Sequence, residues 1–288
     1  MRRSGTTIIY DALCQDPKLT TWYEPLAAAK NPTIGGGSGE QQGDLFENIR
    51  HERAKVANSI GATELDMFNH GAPKDATLEF TNVFPAEVSR YLSHLFGQSE
   101  HFMAKFTRAY CKVQCMKKLC PGGVFVHLVR DPRAVTSSYL FGKNQRNKNK
   151  FTGPDVFFGR KTEYTAWSSR NFSNIILSQP GWEQYADPLD FERILLIWKY
   201  TFEETRRGGL DAFGSNYVMM RHEDFCKNPI KKIDQLYQMA GNVMPKKVRS
   251  WATQYVKPAR EPYECTDSRW QKTFDRLGME EALEIARY

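Results

Sequence analysis

The sequence has no apolar run approaching the roughly 20 residues that a membrane span requires, and no charged-then-apolar leader at its start. Cytoplasm is therefore the expected location, with no membrane partner. The six cysteines, at 14, 111, 115, 120, 226 and 265, include no CxxC pair, and those at 111–120 sit among lysines without neighbouring histidines. No metal and no disulfide framework is expected, and the thiols read as buried or idle. Lysine and arginine exceed aspartate and glutamate by 40 to 33, a net charge of +7, but no block of one sign stands out. That excess favours an anionic ligand, and without a nucleic-acid-binding motif it gives no reason to expect RNA or DNA. Internal repeats are also missing.

What is present begins with 41% hydrophobic content over 288 residues, enough to bury a substantial core. The clearest local unit is "GGVFVHLVRDPRAVTSSYL" at 122–140. Residues 124–129 form a nearly continuous apolar, β-branched run bounded by Pro121, Gly122 and Gly123, the pattern of a buried parallel strand. Asp131 then reads as a helix cap with Pro132 as the first helical residue, which puts Arg130 at the carboxyl tip of the strand. In open α/β sheets ligands bind at that edge. Residues 101–106 and 216–220 read as further strands. Helical stripes run from Pro85 to Gly97 through Val88, Leu92 and Leu95, and through Phe191, Ile194, Leu195, Trp198 and Phe202. A third starts at Asn228-Pro229 and carries Ile230, Ile233, Leu236 and Tyr237 toward Gly241. Strands alternating with helices predict one α/β domain over 1–288 with a parallel sheet. Two stretches, 31–43 and 142–167, resist the pattern and read as flexible or substrate loops.

The opening stretch "RRSGTTIIYDALC" at 2–14 puts a glycine among small hydroxyl residues directly before a helical pattern. It lacks the lysine of a GxxxxGK[ST] nucleotide loop. It does hold the parts of an anion cradle: Gly5 for close backbone approach, the hydroxyls of Ser4, Thr6 and Thr7, the charge of Arg3 and a helix N-terminus. A plain capped helix with a basic tail would share these residues.

Taken together, Arg3-Ser4-Gly5-Thr6-Thr7 and the segment from Arg130 through Arg133 to Ser138 resemble the two cofactor signatures of the sulfotransferases that use 3′-phosphoadenosine-5′-phosphosulfate (PAPS). The resemblance extends more weakly through 102–135, 194–207 and 220–236. It implies a three-layer sandwich around a central parallel sheet, the P-loop-NTPase-like sulfotransferase fold, closest in motif style to the tyrosylprotein and bacterial small-molecule branches. It also implies that the first loop holds the 5′-phosphosulfate, that Arg130 and Ser138 hold the 3′-phosphate, and that PAP (3′-phosphoadenosine-5′-phosphate) is the product. Two separated anion sites on one sheet edge are what a ligand with that charge layout needs. Family members carry a strand immediately before the first loop, which this sequence leaves no room for. Either the natural chain starts further upstream, as expected here, or the sheet lacks that strand.

Sulfuryl transfer needs a cation at the bridging oxygen and a base for the acceptor's proton. The resemblance assigns these roles to Arg3 and to Glu24 in "TTWYEPL", although a glutamate before Pro25 also suits a solvated turn, and Trp22 and Tyr23 beside it read either as an acceptor wall or as core. Histidine is the base in the phenol and steroid branch. Of the histidines here, His70 and His101 match no motif, His127 falls inside the predicted strand, and His222 stands where relatives often have a tyrosine near the adenine. Lys105, Arg269 and Lys272 are further phosphate contacts or solvated side chains. The expected acceptor is a small-molecule alcohol or amine such as a natural product, and a carrier protein stays open as a further partner. Tyrosyl peptides and carbohydrates remain open as acceptors. The competing classes are a catalytically idle PAPS or PAP binder on the same fold and a nucleotide kinase, which the missing lysine disfavours.

Overall fold

Apolar faces lie where the periodicity sets them. The structure is a computed structural model that describes residues 4–26, 47–60, 68–69, 72–73, 76–142, 147–161 and 169–288. Along the first half run α1 (Thr6–Leu13), β1 (Thr20–Tyr23), α2 (Glu47–Ile60), a short antiparallel pair β2 (Phe68–Asn69) and β3 (Ala72–Pro73), α3 (Ala86–Phe96), β4 (Phe102–Lys105), α4 (Val113–Leu119), β5 (Phe125–Val129) and α5 (Pro132–Phe141). The second half adds α6 (Pro154–Gly159), α7 (Ser169–Leu177), α8 (Asp190–Phe213), β6 (Tyr217–Arg221), α9 (His222–Lys227), α10 (Pro229–Met239), α11 (Lys246–Tyr255), α12 (Ser268–Arg276) and α13 (Glu280–Ala286).

Local signals explain most of these boundaries. Asp131 caps α5 by accepting from the Arg133 amide at 2.8 Å, and Pro132 occupies the first turn, where its missing N–H costs nothing. At the start of α8 the Glu192 carboxylate reaches back to accept from the Leu189 amide at 2.7 Å. The stripe Phe191, Ile194, Leu195, Trp198 and Phe202 along α8 is buried, as its spacing predicts. In α3, Val88, Leu92 and Leu95 are fully buried.

The parallel strands form two pairs, β1 with β4 and β5 with β6. Among the described residues no hydrogen bonds join β4 to β5, so the expected single central sheet is observed as two separate two-stranded pieces. Helix α1 touches both. Tyr10 meets Tyr23 edge-on at 5.0 Å and donates its hydroxyl to Thr21 Oγ1 at 3.2 Å, while Ile9 and Ala12 share a buried cluster with Leu128 and Met220. Helix α8 packs against β5, α4, α5 and α7. Residues 31–43 lie outside the described residues. Within 142–167, residues 147–161 form a short 3₁₀ turn and α6, which buries Phe157 and Phe158 in the main core.

Leu195 is fully buried at the centre of α8. Leu195→Ala is expected to lower unfolding free energy by about 2–5 kcal/mol through lost transfer and the cavity left behind. Chemical denaturation reads this as a lower midpoint at constant slope, and an unchanged midpoint would show that α8 is not central to the core.

Candidate functional site

Strands β5 and β6 end in register, Val129 opposite Arg221, so the residues that follow them emerge side by side. Beyond β5 comes the turn of Arg130 and Asp131. Trp198 Nε1 donates to the Arg130 carbonyl at 2.9 Å and Glu223 Oε1 accepts from the Asp131 amide at 3.1 Å, so backbone groups of both residues are fixed. Burial lowers the Arg130 guanidinium from its ordinary pKa, opposed chiefly by the Glu223 charge. Arginine stays cationic through such a shift.

Beyond β6 comes His222, and its ring meets the opening loop. Gly5 caps α1 with φ +83°, in the left-handed region where glycine carries no penalty. A β-carbon on Gly5 would lie 2.1 Å from His222 Cδ2, so the backbone approaches the imidazole more closely than any other residue type permits. His222 is buried, and desolvation together with the Arg130 charge pushes it down to about 4, leaving a neutral ring at pH 7. Its Nε2 lies 3.5 Å from Cys226 Sγ. One side chain thus abuts the α1 N-terminus and feels the charge of Arg130. No acidic residue occupies the first turn of α1, and its cap residue, Gly5, has no side chain to satisfy the first amides. Its amides and dipole therefore favour an anion.

The second strand pair ends likewise, Tyr23 opposite Lys105. Glu24, next in the chain, takes φ +49°, an unusual conformation for a non-glycine residue. The surroundings over-determine it. Lys105 Nζ donates to Glu24 Oε1 at 2.6 Å, the Thr107 amide donates to Oε2 at 3.2 Å, and the Glu24 amide donates to the Lys105 carbonyl at 2.8 Å. Both side chains are buried, and Lys105 also sits 4.3 Å above the Tyr23 ring. Backbone strain held by such packing is characteristic of functional sites.

The structure sorts the remaining expectations. Arg3 lies outside the described residues, as does His70. Ser4 is buried beside Gly5, and Thr6 and Thr7 open α1. Ser138 is half-buried in the second turn of α5, seven residues after Asp131 and so nearly on the same helix face, about 10 Å further along the axis. A phosphate reaching both Arg130 and Ser138 must lie along the side of α5. The neighbouring Ser137 is occupied, donating to the Arg133 carbonyl at 2.7 Å and accepting from the Tyr263 amide at 3.3 Å.

Trp22 points into the core rather than lining a pocket, because side chains alternate along β1. Arg269 is committed to Asp267 and Asp155 and stacks on Phe158, and Lys272 is exposed, which gives Arg269 a structural part. His101 precedes β4, at the amino end of its strand, away from this edge. His127 is half-buried within β5, its Nδ1 2.8 Å from the Tyr217 hydroxyl and its pKa pushed down to about 3 by desolvation, well back from the strand's carboxyl end. Among the described residues no helix is long and apolar enough to cross a membrane, and no His, Cys, Asp or Glu cluster of metal-binding type is present.

Glu223 is a contributor that the sequence did not assign, and Lys105, read there as a phosphate contact or a solvated side chain, is instead the buried partner of Glu24. The only local signal for either is its position at or just past a strand's carboxyl end. Residues 1–246 match the protein family described as "Sulfotransferase family". No curated protein and no solved structure matches the chain.

The buried His222 sets a pH dependence. Its pKa is about 6.5 in an unfolded chain and about 4 here, so between those values the unfolded state binds more protons. Stability is then fully present above about pH 6.5 and is lost as pH falls toward 4, with His222 costing about 2 kcal/mol at pH 5. Denaturation of the wild type and His222→Gln at pH 7 and pH 5 tests this. The variant should lose less stability between the two pH values by that amount, and equal losses would contradict the assignment.

Proposed function

The chain belongs to the sulfotransferase family, and from that premise we propose that it moves a sulfuryl group from PAPS to the hydroxyl or amine of a small-molecule acceptor. PAPS when bound supplies the sulfuryl group on its 5′-phosphate, with PAP as the leaving group. The observation that carries the reading is the meeting at His222 of two elements whose chemistry suits anions: the N-terminus of α1 at Gly5, and the turn bearing Arg130. Residues 4–7 would hold the 5′-phosphate end, with Arg3 as the cation beside them. Arg130 and Ser138 would hold the 3′-phosphate. The donor sets fit, since each offers backbone N–H groups, hydroxyls or a cation to a phosphate.

Each chain residue then has a defined task. The first-turn amides of α1 meet the negative charge that grows on the 5′-phosphate as the sulfur–oxygen bond breaks. Glu24, oriented by Lys105 and the Thr107 amide, accepts the acceptor's proton through a lone pair left over from its two hydrogen bonds. Lys105 fixes the position of the Glu24 carboxylate and adds a positive charge beside it. The neutral His222 ring fills the space between the two anion sites without adding charge.

Calorimetric titration with PAP is the direct test. Micromolar binding is expected, weakened at least tenfold in Arg130→Ala because a charge-assisted phosphate contact contributes about 1.5–3 kcal/mol. Failure of the folded protein to bind PAP would refute the reading. With an acceptor found by screening alcohols, phenols and amines, Glu24→Gln should lower kcat by about 100-fold while leaving PAP affinity within twofold of wild type. Binding without turnover across the screen would identify an idle PAP-binding protein instead.

A further inference from the structure

We infer that Glu223 is a positioning residue for the Arg130 anion site and that Tyr288 steers it. This rests on the reading of Arg130 as a phosphate contact. Glu223 stands one residue past His222, at the start of α9, and its two carboxylate oxygens do different work. Oε1 accepts from the Asp131 amide at 3.1 Å, the first backbone donor after Arg130, and Oε2 accepts from the Tyr288 hydroxyl. That hydroxyl also lies 3.5 Å from the Val129 carbonyl, the last of β5.

The Tyr288 ring is held in turn. The Arg221 guanidinium lies 4.4 Å over it, Arg221 sits 3.6 Å from Asp224, and Arg287 pairs with Asp224 at 3.1 Å. Val129, Arg130 and Asp131 are therefore each met by a side chain from another element: Tyr288 at one carbonyl, Trp198 at the next, Glu223 at the following amide.

Electrostatics alone argues against a carboxylate here. Glu223 is the leading negative charge acting on Arg130, and a negative group beside a phosphate site opposes phosphate binding. Its presence makes sense if the hydrogen bond it gives the turn outweighs that repulsion. The two contributions separate by substitution. Glutamine keeps an acceptor for Asp131 N–H and a donor for the Tyr288 oxygen while removing the charge, whereas alanine removes everything.

The experiment measures the affinities of PAP and of adenosine 5′-phosphate, which lacks the 3′-phosphate, for wild type, Glu223→Ala, Glu223→Gln, Arg130→Ala and the Glu223→Ala/Arg130→Ala pair. Glu223→Ala should weaken PAP about tenfold with adenosine 5′-phosphate unchanged, and Glu223→Gln should bind PAP as tightly as wild type or more so. The double variant should bind PAP no more weakly than Arg130→Ala alone, since a misplaced arginine and a missing one lose the same contact.

Equal loss for both nucleotides, or additive loss in the double variant, would reveal a merely structural residue and overturn the inference. Should Glu223→Ala not fold, Tyr288→Phe removes only the hydroxyl that steers Glu223. A threefold loss confined to PAP is then expected, and no loss overturns the inference. A wild type that binds the two nucleotides alike would overturn the phosphate role of Arg130 and this inference together, whereas a PAP preference that survives in Glu223→Ala overturns this inference alone.

Discussion

The approach of the Gly5 backbone to the His222 ring is the contact on which the candidate site depends. It joins the N-terminus of α1 to the carboxyl end of β6, and through the β5–β6 register it fixes the loop relative to Arg130. Any side chain at position 5 would meet the imidazole at an impossible distance while also forcing a left-handed backbone. The two candidate anion sites are therefore related by packing rather than by a shared loop. A rigid relation is what a ligand with two separated phosphates requires, because a displacement of about 1 Å between the sites would sacrifice one contact for the other.

Around that contact the protein handles charge by pairing it. Glu24 and Lys105 are both buried and both satisfied. Removing either partner would strand the other at a cost of about 3–5 kcal/mol. Glu79 is likewise buried against Arg108, and Lys112 spends its donors on the carbonyls of Leu78 and Thr81. The two arrangements differ in place. The Glu79 pair ties a 3₁₀ segment to the residues after β4, whereas the Glu24 pair sits where two parallel strands end, beside a strained backbone. Position at a sheet edge, more than burial, is what distinguishes Glu24 as the candidate base.

Much of the fold is legible in the sequence because its signals are local. The cap at Asp131, the proline that follows it, and the stripes of α3, α8 and α10 are each contained within a few turns. Strand β1 was not legible: "TTWY" is too short and mixed to announce itself, and it becomes a strand only by pairing with β4. Helix α6 carried a proline at its first position but was masked by the polar run before it. In the site, the glycine loop and Arg130 could be read from motif and context. The Lys105 partner of Glu24, 81 residues away, could not, nor could the meeting of Gly5 with His222 or the clamp of Glu223 and Tyr288. These are contacts made by topology, and no local pattern encodes them. Arg3, read as the loop cation, falls outside the described residues.

The central claim is that one ligand bridges the α1 N-terminus and the Arg130 turn across His222. A crystal structure of the protein grown with PAP tests it most directly. The account predicts the 5′-phosphate on the amides of residues 5–7 and the 3′-phosphate on Arg130 along the side of α5 toward Ser138. Density for PAP elsewhere on the protein, or with only one phosphate held at this edge, would contradict it.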